Sequence, residues 1–193
     1  MTVYRFAKGL FSCYFRLFNR VLIRGKENEI PEGPVIVYGN HCSDADVFLL
    51  TVAFRRQIRF MAKKSLFDTP IVRRLAKAYG AFPVNREKAD LTAAKTALRI
   101  LRDGEILGIF PEGTRVKGDK ISDPKGGIAM FAWKTDTRLI PVHITYKRRL
   151  MIFNRIQVTI GSPVLPADLP IREGTAEEFK AAGEFLLDRA YAL

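Results

Sequence analysis

Short unbroken apolar runs, each bounded by glycine or proline and each followed by a helical pattern, restrict this chain more than any other feature. Val35-Ile36-Val37-Tyr38 follows the turn Ile30-Pro31-Glu32-Gly33-Pro34, and Ile106-Leu107-Gly108-Ile109-Phe110 follows Gly104. Arg59 to Lys63, Leu139 to Tyr146 and Ile156 to Ile160 read as further strands. Runs that do not alternate with polar residues belong to strands covered on both faces. Strands that alternate with helices build a parallel or mixed sheet with helices packed against it. The expected fold is therefore α/β, a single domain with a mostly parallel or mixed central sheet flanked by helices. With 193 residues, 48% of them hydrophobic, one core suffices. No repeat, low-complexity tract or linker divides the chain.

Helices are expected over residues 46–54, over 69–79 behind Thr69-Pro70, over 90–103 and over 125–134. In the third of these, Leu91, Ala94, Leu98 and Leu101 form the expected buried face, and Gly104 the stop. Gly80 to Asn85 reads as a short strand, and Thr175-Ala176-Glu177-Glu178 as a capping box opening a final helix.

Residues 3–22 read as one amphipathic helix. At about 100° per residue, Arg5, Lys8, Ser12, Arg16, Asn19 and Arg20 share one arc, while Phe6, Leu10, Phe11, Phe15, Phe18 and Leu22 cover the rest. A wide aromatic side opposite an acid-free basic side fits a helix lying in an anionic membrane interface. A terminal helix packed on the core is the plainer alternative. The expected division is an interface helix over residues 1–24 and the α/β domain over 25–193.

The net charge of +12 favours anionic partners: nucleic acid, anionic lipid, a phosphorylated substrate or an acidic protein. Residues 55–74 concentrate seven cations against Asp68 alone. Two cysteines, Cys13 and Cys42, make no disulfide framework, which fits a reducing compartment. No apolar stretch is long enough to span a bilayer, and no signal peptide is evident.

Two short segments carry candidate chemistry. In Asn40-His41-Cys42-Ser43-Asp44-Ala45-Asp46, a histidine precedes a carboxylate by five positions. On an ideal helix the two would lie about 140° apart, so they can meet only if His41 ends the strand loop and Asp46 opens the helix. Asp46 would then hold one ring nitrogen, leaving the other to take a proton from a hydroxyl. Ser43 to Asp46 also fits a capping box, which would leave His41 an ordinary loop residue. The second segment, Phe110-Pro111-Glu112-Gly113-Thr114-Arg115, ends a strand and displays Glu112 and Arg115 on a loop. Arg115 can grip a phosphate bidentately. That segment and the basic balance tilt the first towards catalysis. Arg86 is a second candidate phosphate ligand, and Lys63 and Lys64 could face an oxyanion or an acidic partner. A solvated charge beside Glu87 and Lys88 is the commoner fate of an arginine like Arg86, and a solvated pair explains Lys63 and Lys64 at least as well. Cys42 beside His41 is a poor nucleophile candidate, because sequence neighbours point apart. His143 reads as structural. No His, Cys and acid cluster has metal-ligand spacing and no Gly-rich nucleotide loop is present, so neither metal nor other cofactor is expected.

In order, Asn40-His41-(four residues)-Asp46, Gly80 to Arg86, Phe110 to Arg115 and Ile140-Pro141-Val142 resemble the four sequence blocks of the 1-acyl-sn-glycerol-3-phosphate acyltransferases, the PlsC-like lysophospholipid acyltransferases. The likeness covers roughly residues 35–145. It implies acyl transfer from acyl carrier protein or coenzyme A to the sn-2 hydroxyl of lysophosphatidic acid, at the cytoplasmic face of a membrane. It also implies His41 as base and Asp46 as its orienter. Glu112, Gly113, Thr114 and Arg115, with Arg86, would hold the glycerol phosphate, and Lys63 would assist the oxyanion. The chain departs from the family pattern at Asn85, where Asp is common, and at Ser65, where Glu is common. The rival readings are an acyltransferase with another acceptor, such as glycerol 3-phosphate, and a non-enzymatic basic module. No nucleic-acid motif supports the latter, and nucleic acid is not an expected partner.

Overall fold

The computed structural model describes residues 3–85, 90–113, 126–148 and 152–193. Its seven-stranded mixed sheet has the order β1-β7-β6-β2-β5-β3-β4. The strands are β1 (Asn19–Arg24), β2 (Val35–Gly39), β3 (Ile58–Lys63), β4 (Phe82–Val84), β5 (Ile106–Ile109), β6 (Arg138–Tyr146) and β7 (Asn154–Ile160). All neighbours pair in parallel except β6 and β7, which run antiparallel. The helices are α1 (Val3–Phe18), α2 (Asp46–Ala53), α3 (Pro70–Ala78), α4 (Leu91–Arg102), α5 (Gly127–Thr135) and α6 (Ala176–Tyr191). The α/β expectation holds, and the elements sit where the apolar runs place them.

Handedness sorts the helices between the two faces. The steps β2 to β3 and β3 to β4 cross the sheet in one direction, while β4 to β5 and β5 to β6 return. Right-handed crossovers then put α2 and α3 on one face, α4 and α5 on the other. The core agrees. Leu49, Leu50, Val37, Ile58, Val142 and Val158 form one apolar layer with Phe15 of α1. Ala97, Leu101, Ile128, Ala132 and Leu186 form the other with Ile36, Tyr38 and Leu139.

Two expectations are corrected. The helix expected over 3–22 ends at Phe18, and residues 19–24 form the edge strand β1 beside β7. The amide of Phe153 donates to the Phe18 carbonyl, and that of Asn154 to Asn19 Oδ1 at 3.1 Å. These bonds draw the chain into the sheet, where Val21 and Ile23 pack on the core. The buried stripe of α4 is Ala93, Ala97, Ile100 and Leu101, with Leu91 exposed. Asp90 caps the helix by accepting from Thr92 and Ala93 N–H, and the small alanines let it lie close to the sheet. The capping box of α6 forms as expected, Thr175 and Glu178 bonding reciprocally.

Four parallel strands, β2, β5, β3 and β4, end on the same edge, so residues 40–46, 110–113 and 63–67 and the end of β4 gather there. In α/β sheets this edge is where ligands bind. Part of the basic stretch lies at the opposite edge and is engaged internally. The Arg56 guanidinium donates to the Gly33 and Gly104 carbonyls, and Arg59 pairs bidentately with Glu105 at 3.0 and 2.7 Å.

Candidate active site

The first segment is anchored by its asparagine. At the end of β2 the Asn40 side chain takes over the pairing with β6: its Nδ2 donates to the Ile144 carbonyl and its Oδ1 accepts the Ile144 N–H, both at 2.8 Å. The amide thus extends the ladder by one rung while the main chain turns away. The approach is close, since a Cβ at Gly39 would stand 2.1 Å from the Val142 carbonyl oxygen. The next residue, His41, is thereby held at a set height over the sheet edge.

His41 and Asp46 meet in the arrangement their spacing demands, one in the loop and one in the first turn of α2. His41 Nδ1 lies 2.9 Å from Asp46 Oδ2. The same oxygen accepts the backbone N–H groups of Cys42 and Ser43, each at 2.8 Å. An oxygen already fixed as acceptor by two amides is an acceptor towards the ring as well. Nδ1 therefore carries a proton, and in the neutral ring the lone pair lies on Nε2. Asp46 is 0% exposed. The capping box expected over Ser43 to Asp46 is only half formed: Asp46 Oδ2 accepts the Ser43 amide, but the Ser43 hydroxyl accepts from Ala45 N–H at 3.2 Å and the Asp46 amide bonds the Ser43 carbonyl, while the residue that caps α2 is Ala45.

The second segment comes against the first. The His41 ring stacks on Phe110, 4.2 Å between centroids and 14° between planes. Glu112, expected on display, is 4% exposed. Its Oε2 accepts the His41 backbone N–H at 3.1 Å, and its Oε1 accepts the Tyr191 hydroxyl at 2.6 Å. Burial raises the pKa of its carboxyl, while the Tyr191 and His41 bonds act the other way. Glu112 therefore ties three elements together: the loop after β5, the loop after β2 and the end of α6. Gly113 takes a φ of 68°, in the left-handed region glycine favours, and its N–H closes a turn on the Phe110 carbonyl.

Lys63 is exposed at the end of β3, on the same edge, and no hydrogen bond or ion pair joins it to His41, Asp46 or Glu112. Arg86, Thr114 and Arg115 lie outside the described residues. Cys42 Sγ accepts from Asn40 Nδ2 at 3.2 Å, and burial raises its thiol pKa, the opposite of an activated nucleophile. His143 is half-buried in β6 with its ring 5.6 Å from Tyr191.

Asn40, Phe110, Tyr146 and Tyr191 were not among the expected site residues. The Tyr146 hydroxyl donates to Asp46 Oδ1. Burial, then the adjacent Asp46 carboxylate, hold that phenol above its usual range, so it stays protonated as a donor. The signal was present: Tyr146 continues the stripe Val142, Ile144 on the face that α2 covers, and a hydroxyl there needs a partner. Tyr191, in the last turn of α6, carried no such signal. Tyr146→Phe is expected to cost about 1.5–3 kcal/mol of stability, the range for a hydrogen bond to a charged group, read by thermal melting. It should lower turnover by roughly tenfold or less, because the two amides still hold the carboxylate. A loss as large as that of His41 itself would refute this auxiliary standing.

A family model described as Acyltransferase matches residues 20–145, from β1 to the end of β6, and so includes both segments. The 1-acyl-sn-glycerol-3-phosphate acyltransferase of Bacillus subtilis is 30% identical over 189 residues, 94% of each chain. That of Borreliella burgdorferi is 32% identical over 139 residues, 71% of this chain and 56% of that protein. The crystal structure of the 1-acyl-sn-glycerophosphate acyltransferase PlsC from Thermotoga maritima superposes with a TM-score of 0.76 at 24% identity, covering 98% of this chain and 79% of that one, which establishes the shared fold. With the family match spanning most of the chain and a relative aligned nearly end to end, this protein belongs to the acyltransferase family and is an enzyme of that class.

Proposed function

We infer that the protein transfers a fatty acyl group from an acyl thioester, carried by acyl carrier protein or coenzyme A, to the sn-2 hydroxyl of 1-acyl-glycerol 3-phosphate, yielding phosphatidic acid. The observation that carries this is the His41 ring bonded through Nδ1 to the buried Asp46 carboxylate, which leaves Nε2 as the nitrogen for the substrate hydroxyl. The names of the relatives supply the acceptor.

In this reading His41 Nε2 removes the hydroxyl proton as the oxygen attacks the thioester carbonyl carbon. Asp46 stabilises the imidazolium that forms. The tetrahedral oxyanion collapses, the carbon–sulfur bond breaks, and the imidazolium returns its proton to the departing thiolate. No acyl-enzyme is needed. Arg86, Gly113, Thr114 and Arg115 are assigned to the glycerol phosphate, and Lys63 to the oxyanion or the donor phosphates. Glu112 has both oxygens engaged by the protein and is assigned to positioning the His41 main chain.

The chain works peripherally on the cytoplasmic face of an anionic membrane, with α1 as the contact. Phe6, Leu10 and Leu17 are exposed on α1 beside the basic side, which supports this. Among the described residues no helix is long and apolar enough to cross a membrane. Cys13 and Cys42 are both free, as suits a reducing compartment.

The test offers purified protein lysophosphatidic acid with acyl-coenzyme A and with acyl carrier protein in turn, and repeats each with glycerol 3-phosphate and with a lysophospholipid lacking a free phosphomonoester. Phosphatidic acid should form at least about tenfold faster than any other product: the lysophospholipid without a phosphomonoester leaves the site's cations unpaired, and glycerol 3-phosphate keeps the phosphate but lacks the acyl chain that a lipid site buries. Faster turnover of either alternative acceptor would overturn the acceptor assignment, and no turnover with either donor would overturn the reaction.

A further inference from the structure

We propose that α3 and the turn before it form a second membrane-contacting surface, beside α1 and at the same sheet edge as His41, that seats on an anionic bilayer. The proposal extends the peripheral reading above and rests on it for the lipid nature of the acceptor.

Helix α3 is anomalous for an element of a packed fold. None of its residues is buried, and Ile71 is 74% and Leu75 53% exposed. At about 100° per residue, Ile71, Leu75 and Val72 share one arc, and Arg73, Lys77 and Arg74 the opposite one. Leu66, in the turn that leads into the helix, is exposed as well. A contiguous exposed apolar strip with a cationic flank marks an interaction surface rather than a solvated helix.

Its neighbour on the fold repeats the pattern. Helix α1 packs on the core through Tyr4, Ala7 and Phe15, and stacks Phe11 on Phe48 of α2 at 4.1 Å. It leaves a second strip, Val3, Phe6, Leu10 and Leu17, uncovered. The two helices are joined at Tyr79, the residue that caps α3. The ring of Tyr79 meets Tyr4 and Phe11 edge-on, with centroids 6.2 and 5.7 Å apart. Handedness already places α2 and α3 on one face of the sheet, and α1 packs on that face. Because α3 runs back from the end of β3, its first turn lies at the edge where His41 and Glu112 sit. A lipid leaving the bilayer at Leu66 and Ile71 is therefore beside the site.

Charge selects the occupant. Across residues 59–79 the cations Lys63, Lys64, Arg73, Arg74 and Lys77 face a single acid, Asp68, with Arg59 already paired to Glu105. An acidic carrier protein would match those cations but leave Ile71 and Leu75 wet, whereas an anionic bilayer satisfies both.

The experiment is flotation of the full chain with vesicles of an equal phosphatidylglycerol and phosphatidylcholine mixture, comparing wild type, I71S/L75S, F6S/L10S and all four substitutions together. Each pair should weaken partitioning by roughly tenfold or more, the four should abolish it, and pure phosphatidylcholine should weaken wild type. In parallel, turnover of a short-chain, water-soluble lysophosphatidic acid should be unchanged in I71S/L75S, while turnover of the long-chain acceptor in vesicles falls. Wild-type partitioning by I71S/L75S overturns the proposal. So does a loss confined to acyl carrier protein as donor, which would make α3 a carrier dock. If the wild type binds vesicles through α3 yet acylates no lysophospholipid, the surface stands and the proposed reaction fails.

Discussion

Replacing His41 with alanine is expected to lower kcat roughly 10³- to 10⁴-fold, the contribution of a general base, with little change in the KM of the acceptor. The substitution isolates the ring because the main chain at this position is held by other groups. Its N–H is bonded to Glu112, and the residue before it is pinned to Ile144 by the Asn40 side chain. What leaves is the imidazole, with its stack against Phe110, worth about 1 kcal/mol, and its bond to Asp46, worth about 1.5–3 kcal/mol like that of Tyr146. The melting temperature should therefore fall by roughly 5–15 °C, with the fold retained. His41→Gln, which keeps polarity and most of the volume but accepts no proton at neutral pH, should lose turnover as fully. A folded His41→Ala enzyme keeping more than a tenth of wild-type kcat would remove this residue from the chemistry.

How much of this was legible in the sequence differs by level. The central strands were legible because β2 and β5 are unbroken apolar runs between glycine, proline and polar punctuation, a pattern that suits a sheet covered on both faces. The end of α1 was not. Asn19 to Ile23 keeps the helical period of the preceding residues, and the reason it becomes a strand lies in Phe153 and Asn154, far along the chain. Tertiary pairing overrode a local pattern. The same holds for α4, where Leu91 of the expected face is left outside, Leu101 is buried, and Ala93, Ala97 and Ile100 go in beside it.

The site shows the same division. The five-residue spacing of His41 and Asp46 stated its own condition, loop then first helical turn, and that condition is what the geometry meets. Glu112 was read as an exposed loop acid because its partners, a backbone amide after β2 and a tyrosine at the end of α6, come from remote segments. A glutamate beside glycine on a strand-ending loop looks the same whether it faces solvent or a backbone N–H. The basic stretch over residues 55–74 was likewise read as one patch, yet the sheet separates it. Arg56 and Arg59 brace the far edge, Lys63 and Lys64 stand at the end of β3 on the edge that carries His41, and Arg73 and Arg74 lie on α3, with Arg73 bonded to the Phe67 carbonyl.

Asp46→Asn is expected to match the His41 variants in lost turnover, about 10³- to 10⁴-fold, while keeping the fold. The carboxylate is wholly buried and receives four donors: the Cys42 and Ser43 amides, His41 Nδ1 and the Tyr146 hydroxyl. An asparagine of the same shape can leave its oxygen on the two amides and turn its NH2 towards the phenol, which then accepts. Packing survives, but the charge that stabilises an imidazolium does not. Asp46→Ala is different in kind. It strands two amides and a phenol in the interior at about 1–3 kcal/mol each, enough to unfold a marginal domain. The pair of variants therefore separates electrostatics from architecture. The sharper measurement is the double variant. If Asp46 acts through the ring, adding Asp46→Asn to His41→Ala should cost no further turnover, since the group it serves is gone. Multiplicative losses would instead mean that Asp46 contributes independently of the ring, by shaping the loop for substrate, and that the bond between them has no part in catalysis.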